Sequence, residues 1–248
     1  MPYRLLDIDI SLKFCQIPSL CHKSPEIEVN LMDIYELVRG PFAWIAIALF
    51  VLGCLYRIVY LLYSGKRETV LDPTGNTKNA ARSILHGLLP FGSTYMRRRP
   101  LFTIISFIFH LCVVILPIFL LAHIVLWYES WEIQWWSLPD LPADLMALWV
   151  ILACVYFLYR RLTVTEVKQV TRPVDYGLLS IIFLTFLTGF LAYHQWGPYR
   201  PILILHIISS EILLVILPFT KLSHMLLFAF SRAYMGSEFG KHMKARDF

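Results

Sequence analysis

The chain has 248 residues, is 58% hydrophobic and only 16% charged, and carries a formal net charge of +5. Ordinary soluble domains carry about 25% charged residues, so a soluble globular class is excluded. The basic excess alone would suit a nucleic-acid binder, but its placement in blocks between apolar runs excludes that partner.

Residues 1–40 read as an extracytoplasmic N-terminal segment. They lack the ordered charged, apolar and small-residue pattern of a cleavable signal peptide. Met32 is an alternative start, which would make the preceding 31 residues an extension. Cys15 and Cys21, six residues apart beside His22, form a weak metal or disulfide signal. Cys54, Cys112 and Cys154 fall in apolar runs and read as packing residues.

Five stretches are long enough, at 1.5 Å per residue, to cross a hydrocarbon core of roughly 30 Å. They are Pro41–Tyr63, Leu101–Tyr128, Leu141–Tyr159, Tyr176–Tyr193 and Pro201–Phe230. The expected fold is an all-α integral membrane protein, with a membrane domain over 41–233 and a cytoplasmic tail over 234–248. A β-barrel would instead show alternating segments of about ten residues.

The first span carries Arg57 near its end, either snorkelling to the interface or facing an anionic group held inside the bundle. The loop that follows contains a mixed pattern over Asn79–Leu89, expected to be a short surface helix bearing His86. The second span ends in Trp127-Tyr128, and the next loop holds Trp131, Trp135 and Trp136. Such aromatics mark a lipid–water boundary, so an interfacial helix is expected there. The fourth span contains Thr188-Gly189, suited to close helix contact, and ends in Tyr193-His194-Gln195.

The loop Ser64–Pro100 carries Lys66, Arg67, Lys78, Arg82, Arg97, Arg98 and Arg99, and Arg160–Pro173 carries Arg160, Arg161, Lys168 and Arg172. The tail adds Arg232, Lys241, Lys244 and Arg246, whereas Glu129–Ala143 and Gln195–Tyr199 have no Lys or Arg. The positive-inside rule then puts the N-terminus outside and the C-terminus in the cytoplasm. No nucleotide-binding Gly-rich loop, Cys-x-x-Cys pair, nucleophile elbow or HExxH occurs.

Four of the eight histidines lie inside spans, His110 and His123 on the second, His206 and His224 on the fifth. Ionisable residues within a membrane are functional candidates by default. The two spans run in opposite directions, so antiparallel packing sets His110 level with His224 and His123 level with His206. His206 and His224 are 18 residues apart, five full turns, and share a face. His110 and His123 are 13 residues apart and would lie about 140° apart on an ideal helix. Pro117 and Pro218 are expected to bend the helices and absorb the mismatch. Two imidazoles from opposite helices suit haem iron with both axial positions filled, a closed site fit for electron transfer. Zinc would want four ligands together.

The stretch Pro218-Phe-Thr-Lys-Leu-Ser-His224 resembles the fifth-helix motif of the respiratory nitrate reductase gamma subunit superfamily of dihaem cytochromes b, as do the five spans and the 18-residue interval. The resemblance covers most of residues 35–235. It implies two haems b, one on His110 and His224 toward the cytoplasm, the other on His123 and His206 toward the outside. Within the superfamily the chain resembles the branch of sulfate reducers. That branch pairs with a cytoplasmic heterodisulfide-reductase-like iron–sulfur subunit and a periplasmic multihaem cytochrome c. The implied setting is a prokaryotic cytoplasmic membrane, and the implied electron exchange is with menaquinone or another quinol.

Arg57 and Lys221 are then candidates for haem propionates. Tyr193, His194, Gln195 and Glu211 are candidates for quinone or proton binding, with interfacial anchoring the simpler role for the first three. Glu211 could instead bond to Ser209 or Ser210. The rival reading is a non-haem transporter or assembly factor whose histidines bind metal or protons; transporters are often built from inverted repeats, and five spans do not halve.

Overall fold

The computed structural model describes residues 25–65 and 77–239. The expectations for Cys15, Cys21 and His22, and for Lys66, Arg67, Lys241, Lys244 and Arg246, lie outside the described residues. Five helices are long and apolar enough to cross a membrane, and no strand occurs among the described residues. The chain is an all-α, multi-pass membrane protein.

The first span is longer than its apolar core suggests. Helix α1 (Pro25–Leu37) continues through a π-turn (Val38–Phe42) into α2 (Ala43–Gly65) without a break. Pro41, expected to open the helix, lies inside that turn. A proline removes one i→i−4 bond and crowds the preceding turn. The wider π-turn accommodates it, and the N–H of Ala43 reaches back to the carbonyl of Val38. Helix α3 (Thr77–Leu88) forms where the surface helix was expected, followed by the short α4 (Thr94–Arg98) capped by the Ser93 side chain.

The second span is two helices. Helix α5 (Pro100–Phe119) starts with proline at its first turn, where a missing N–H costs nothing. Leu120 is extended (φ −72°, ψ 130°), and α6 (Leu121–Trp131) begins anew. The break frees the carbonyls of residues 117–119, and each finds a donor. His123 Nδ1 lies 3.0 Å from the oxygen of Pro117, Trp135 Nε1 donates to Ile118 at 2.9 Å, and the N–H of Leu138 donates to Phe119 at 2.9 Å. Buried backbone groups are rarely left without partners, and this set explains how a mid-span break is tolerated. It also corrects the expectation of an interfacial helix in the tryptophan loop. Helix α6 ends at Trp131 with Glu132 left-handed (φ 57°), and the segment beyond folds back without helical structure to supply two of those donors.

Helix α7 (Asp140–Thr163) has Asp140 in its first turn and Arg160 and Arg161 in its last, complementing the helix dipole. After the short α8 (Thr165–Val170), α9 (Pro173–Tyr193) again opens on proline. A tight turn through Gln195 (φ 54°) and Gly197 (φ 87°) leads to α10 (Tyr199–Ile216). The fifth span is therefore also broken. Past Pro218 the chain makes a 3-10 turn (Lys221–Ser223), capped by Thr220 Oγ1, and restarts as α11 at His224, ending at Phe239.

Helix α5 packs on α7, α7 on α9, α9 on α10 and α10 on α2. At their centre lie Phe109, Cys112, Val150, Ala153, Cys154 and Ile182, joined by Leu213 and Leu222. Leu52, Leu55, Val59 and Leu152 point outward, as expected where lipid replaces water. Helix α11 leaves this bundle and packs on α3. There a Cβ on Gly236 would come within 2.6 Å of the Asn79 carbonyl oxygen, so only glycine permits the crossing. Leu213 brings α10 to the core that contains Phe109 and Cys112 of α5.

Candidate functional site

Two imidazole couples join the halves of the second and fifth spans, His123 of α6 with His206 of α10 and His110 of α5 with His224 at the start of α11. The rings of His123 and His206 have centroids 6.2 Å apart and planes 3° from parallel. The rings of His110 and His224 have centroids 5.9 Å apart and planes at 74°. The pairs stand at opposite ends of the bundle. The first is near the tryptophan-rich end, where Trp44, Trp127, Trp131 and Trp135 contact one another. The second is near the arginine-rich end, where Arg160 lies over the Phe102 ring.

Every one of the four rings is oriented the same way chemically. Nδ1 of His110 lies 2.6 Å from the Ser106 oxygen, and that of His123 3.0 Å from Pro117. Nδ1 of His206 lies 2.9 Å from Thr185, and that of His224 2.7 Å from Lys221. A carbonyl can only accept, so each Nδ1 carries the proton and each Nε2 keeps its lone pair. Fixing the tautomer through a backbone carbonyl is how metal-binding imidazoles are held.

The local sequence produces these bonds. Ser106 is four residues before His110, where an uninterrupted helix places its carbonyl beneath the ring. Pro117 O is available only because the helix breaks at Leu120. Lys221 O receives both the backbone N–H and the Nδ1 of His224 where the 3-10 turn ends. His206 reaches across to α9, and the small residues expected to bring helices together are what admit it. A Cβ on Gly189 would lie 2.8 Å from Cε1 of His206. Thr185 and Thr188 return their hydroxyls to their own helix, at Ile181 and Leu184, leaving a smooth face.

Two imidazoles bound to one metal at about 2.0–2.1 Å each put their ring centres about 6 Å apart. Both pairs meet that spacing. Among the described residues no cluster of three or more His, Cys, Asp or Glu side chains exists to hold a metal by protein donors alone. Each couple offers two nitrogen donors, the number that haem iron takes from protein when both its axial positions are filled.

The other expected site residues divide. Arg57 on α2 donates Nη2 to Ser223 Oγ at 3.2 Å, one residue before His224, and its buried Nε has no partner. It borders a cavity of about 140 Å³ with Cys54, Pro218 and Leu227. Lys221 is committed elsewhere: its Nζ lies 2.6 Å from Oδ1 of Asp175. Tyr193 donates to Asp140 and His194 lies 3.0 Å from Asp144, so both tie α9 to the start of α7. Gln195 forms the left-handed turn beyond them. Glu211 is apart from all three. Its Oε1 is buried without a hydrogen bond, in a cleft of about 340 Å³ between α2 and α10 lined by Phe42, Ile45, Ala46, Ile212, Val215 and Ile216. Ser209 and Ser210 donate to the His206 carbonyl and not to Glu211. His86, expected at the surface, is half-buried with Nδ1 enclosed.

Asp175 is the residue that sequence reasoning missed. It lies one residue before the Tyr176–Tyr193 stretch expected to form the fourth span. Its signal is an acidic residue two positions after Pro173, at the third position of a helix, where carboxylates cap.

No family model matches the chain. A protein of Nitratidesulfovibrio vulgaris (strain Hildenborough), described only as "Protein", is 35% identical over 216 residues, which cover 83% of this chain and 93% of that one. The chain belongs to the same family as that Nitratidesulfovibrio vulgaris protein.

Proposed function

We propose that the chain is a membrane cytochrome b subunit that carries electrons across the bilayer on two haems b. The supporting observation is the pair of imidazole couples at 5.9 Å and 6.2 Å, all four with Nδ1 on a backbone carbonyl. His110 and His224 hold one haem, His123 and His206 the other. A haem so ligated supplies a one-electron couple with no open coordination position.

The chain's own residues do the rest. The carbonyls set each ring's angle and raise its basicity. Arg57 offers its unpaired Nε to a propionate beside the His110–His224 haem. Phe109 of the apolar core sets its ring edge-on to His110 and helps to keep water from that couple. The positive-inside rule supports a cytoplasmic arginine-rich end and C-terminus in this reading, whose proposed setting is a prokaryotic cytoplasmic membrane. The His123–His206 haem then faces outward.

Quinol is the lipid-borne reductant or product in this reading. Among the four candidates, Glu211 lines an apolar cleft and has a buried oxygen without a hydrogen-bond partner. Glu211 would accept a hydrogen bond from one hydroxyl of a quinol bound in that cleft. The partners are a cytoplasmic iron–sulfur subunit and a periplasmic multihaem cytochrome c.

The purified chain is expected to show a low-spin b-type spectrum with two haems per polypeptide. A preparation with no haem, or a substrate flux in haem-free liposomes, overturns the proposal. Glu211→Gln should slow haem reduction by a menaquinol analogue while both haems remain bound.

A further inference from the structure

Asp175 is the one buried charged side chain among the described residues, 5% exposed. It lies in the first turn of α9, and a lone carboxylate there would be costly in lipid. It is instead at the centre of a clamp. Its Oδ2 accepts the N–H of Arg172 at 2.9 Å, while its own N–H donates to the Arg172 carbonyl at 2.9 Å. Lys221 Nζ lies 2.6 Å from Oδ1 and 2.9 Å from Oδ2. Arg161, on the last turn of α7, approaches Oδ2 at 3.9 Å. The carboxylate thus joins α7, α9 and the turn between α10 and α11.

That turn carries a candidate ligand. The carbonyl held by Lys221 is the one that receives Nδ1 of His224, at 2.7 Å. On its other side the turn is held by Arg57 through Ser223. The turn has no helix of its own to fix it, since Pro218 ends α10 and the 3-10 turn is a single turn long.

We infer that Asp175 is a positioning residue for the His224 imidazole: through Lys221 it fixes the carbonyl that sets the ring's orientation and basicity, and so tunes one haem of the two. This rests on the dihaem reading above. A bond from Nδ1–H to a well-placed carbonyl makes the imidazole a stronger donor, which favours ferric iron. Loosening the clamp moves the potential of the His110–His224 haem upward. The His123–His206 haem, whose rings bond to Pro117 and Thr185, is unaffected.

The test is a redox titration with electron paramagnetic resonance of the purified full chain and of two variants, Asp175→Asn and Lys221→Met. Lys221 is 59% exposed on its side chain, and its removal leaves Asp175 the Arg172 N–H and Arg161 as partners. The two variants therefore load the fold differently, and thermal melts of each check that it is folded before titration. If the two charges acted directly on the iron, removing the negative one would raise the potential and removing the positive one would lower it. If they act through the clamp, both variants raise the potential of the same haem and broaden its ferric signal, and the double variant adds little. Unmoved potentials, opposite shifts, or equal shifts of both haems overturn the inference while leaving the dihaem reading intact. An unmodified chain without haem overturns that reading, and this inference with it.

Discussion

The two histidine couples use the same chemistry and opposite construction. At the tryptophan-rich end, His206 is set by helix packing: a glycine on α9 makes room and a backbone carbonyl of α9 receives Nδ1. No side-chain charge takes part. At the arginine-rich end, His224 stands on a turn and is set by charge, with Asp175 and Lys221 on one side and Arg57 on the other. The rings follow suit, near-parallel in the first couple and crossed in the second. One site is shaped by volume and the other by ion pairs, so different substitutions should disturb each.

The largest expected effect separates them outright. His206→Ala should lower the haem content from two per chain to one and leave the His110–His224 haem, and His110→Ala should do the converse. Pyridine haemochrome assay with redox titration reads both, and loss of the wrong haem would break the pairing. Gly189→Val comes next. Its side chain would displace the His206 ring, so one haem should be lost or become high-spin in the optical spectrum, with the other unchanged. Arg57→Gln should act at the opposite end and more gently. The glutamine amide can still donate to Ser223 Oγ and keep the turn held, so the change is loss of a cation beside the His110–His224 haem. That loss favours ferric iron, and that potential should fall while the other stays put. The smallest effect belongs to Trp135→Phe. It removes the donor to Ile118 O and should cost about 1 kcal/mol of thermal stability, read by differential scanning calorimetry, with both haems retained.

Much of this was legible in the sequence, for uneven reasons. Apolar length marked all five spans because the bilayer imposes it, and α3 appeared within two residues of its expected start. The matching of His110 with His224 and of His123 with His206 followed from counting direction alone. The stated mechanism of the match was wrong in part. The 18-residue interval was read as five turns of one helix, but His224 opens a separate helix after Pro218. The 13-residue interval was expected to need a proline kink; the chain instead breaks at Leu120, three residues beyond Pro117. Hydropathy cannot register such breaks, because Leu120 and Leu217 are as apolar as their neighbours. Asp175 and its hold on Lys221 were illegible for another reason: the partners are 46 residues apart, and only the packing of α9 beside α10 joins them.

The breaks at Leu120 and Pro218 have an evolutionary consequence. In an unbroken helix, gaining or losing one residue between two ligands rotates the second by about 100°, and the site is lost. Here each ligand-bearing span is two short rods joined by a non-helical link, so such a change can be absorbed at the link without turning either ring away. In the dihaem reading the interval between histidines could then change while the geometry at each iron stays fixed. Relatives should be recognised by a carbonyl waiting beneath each imidazole, and not by a count of residues between them.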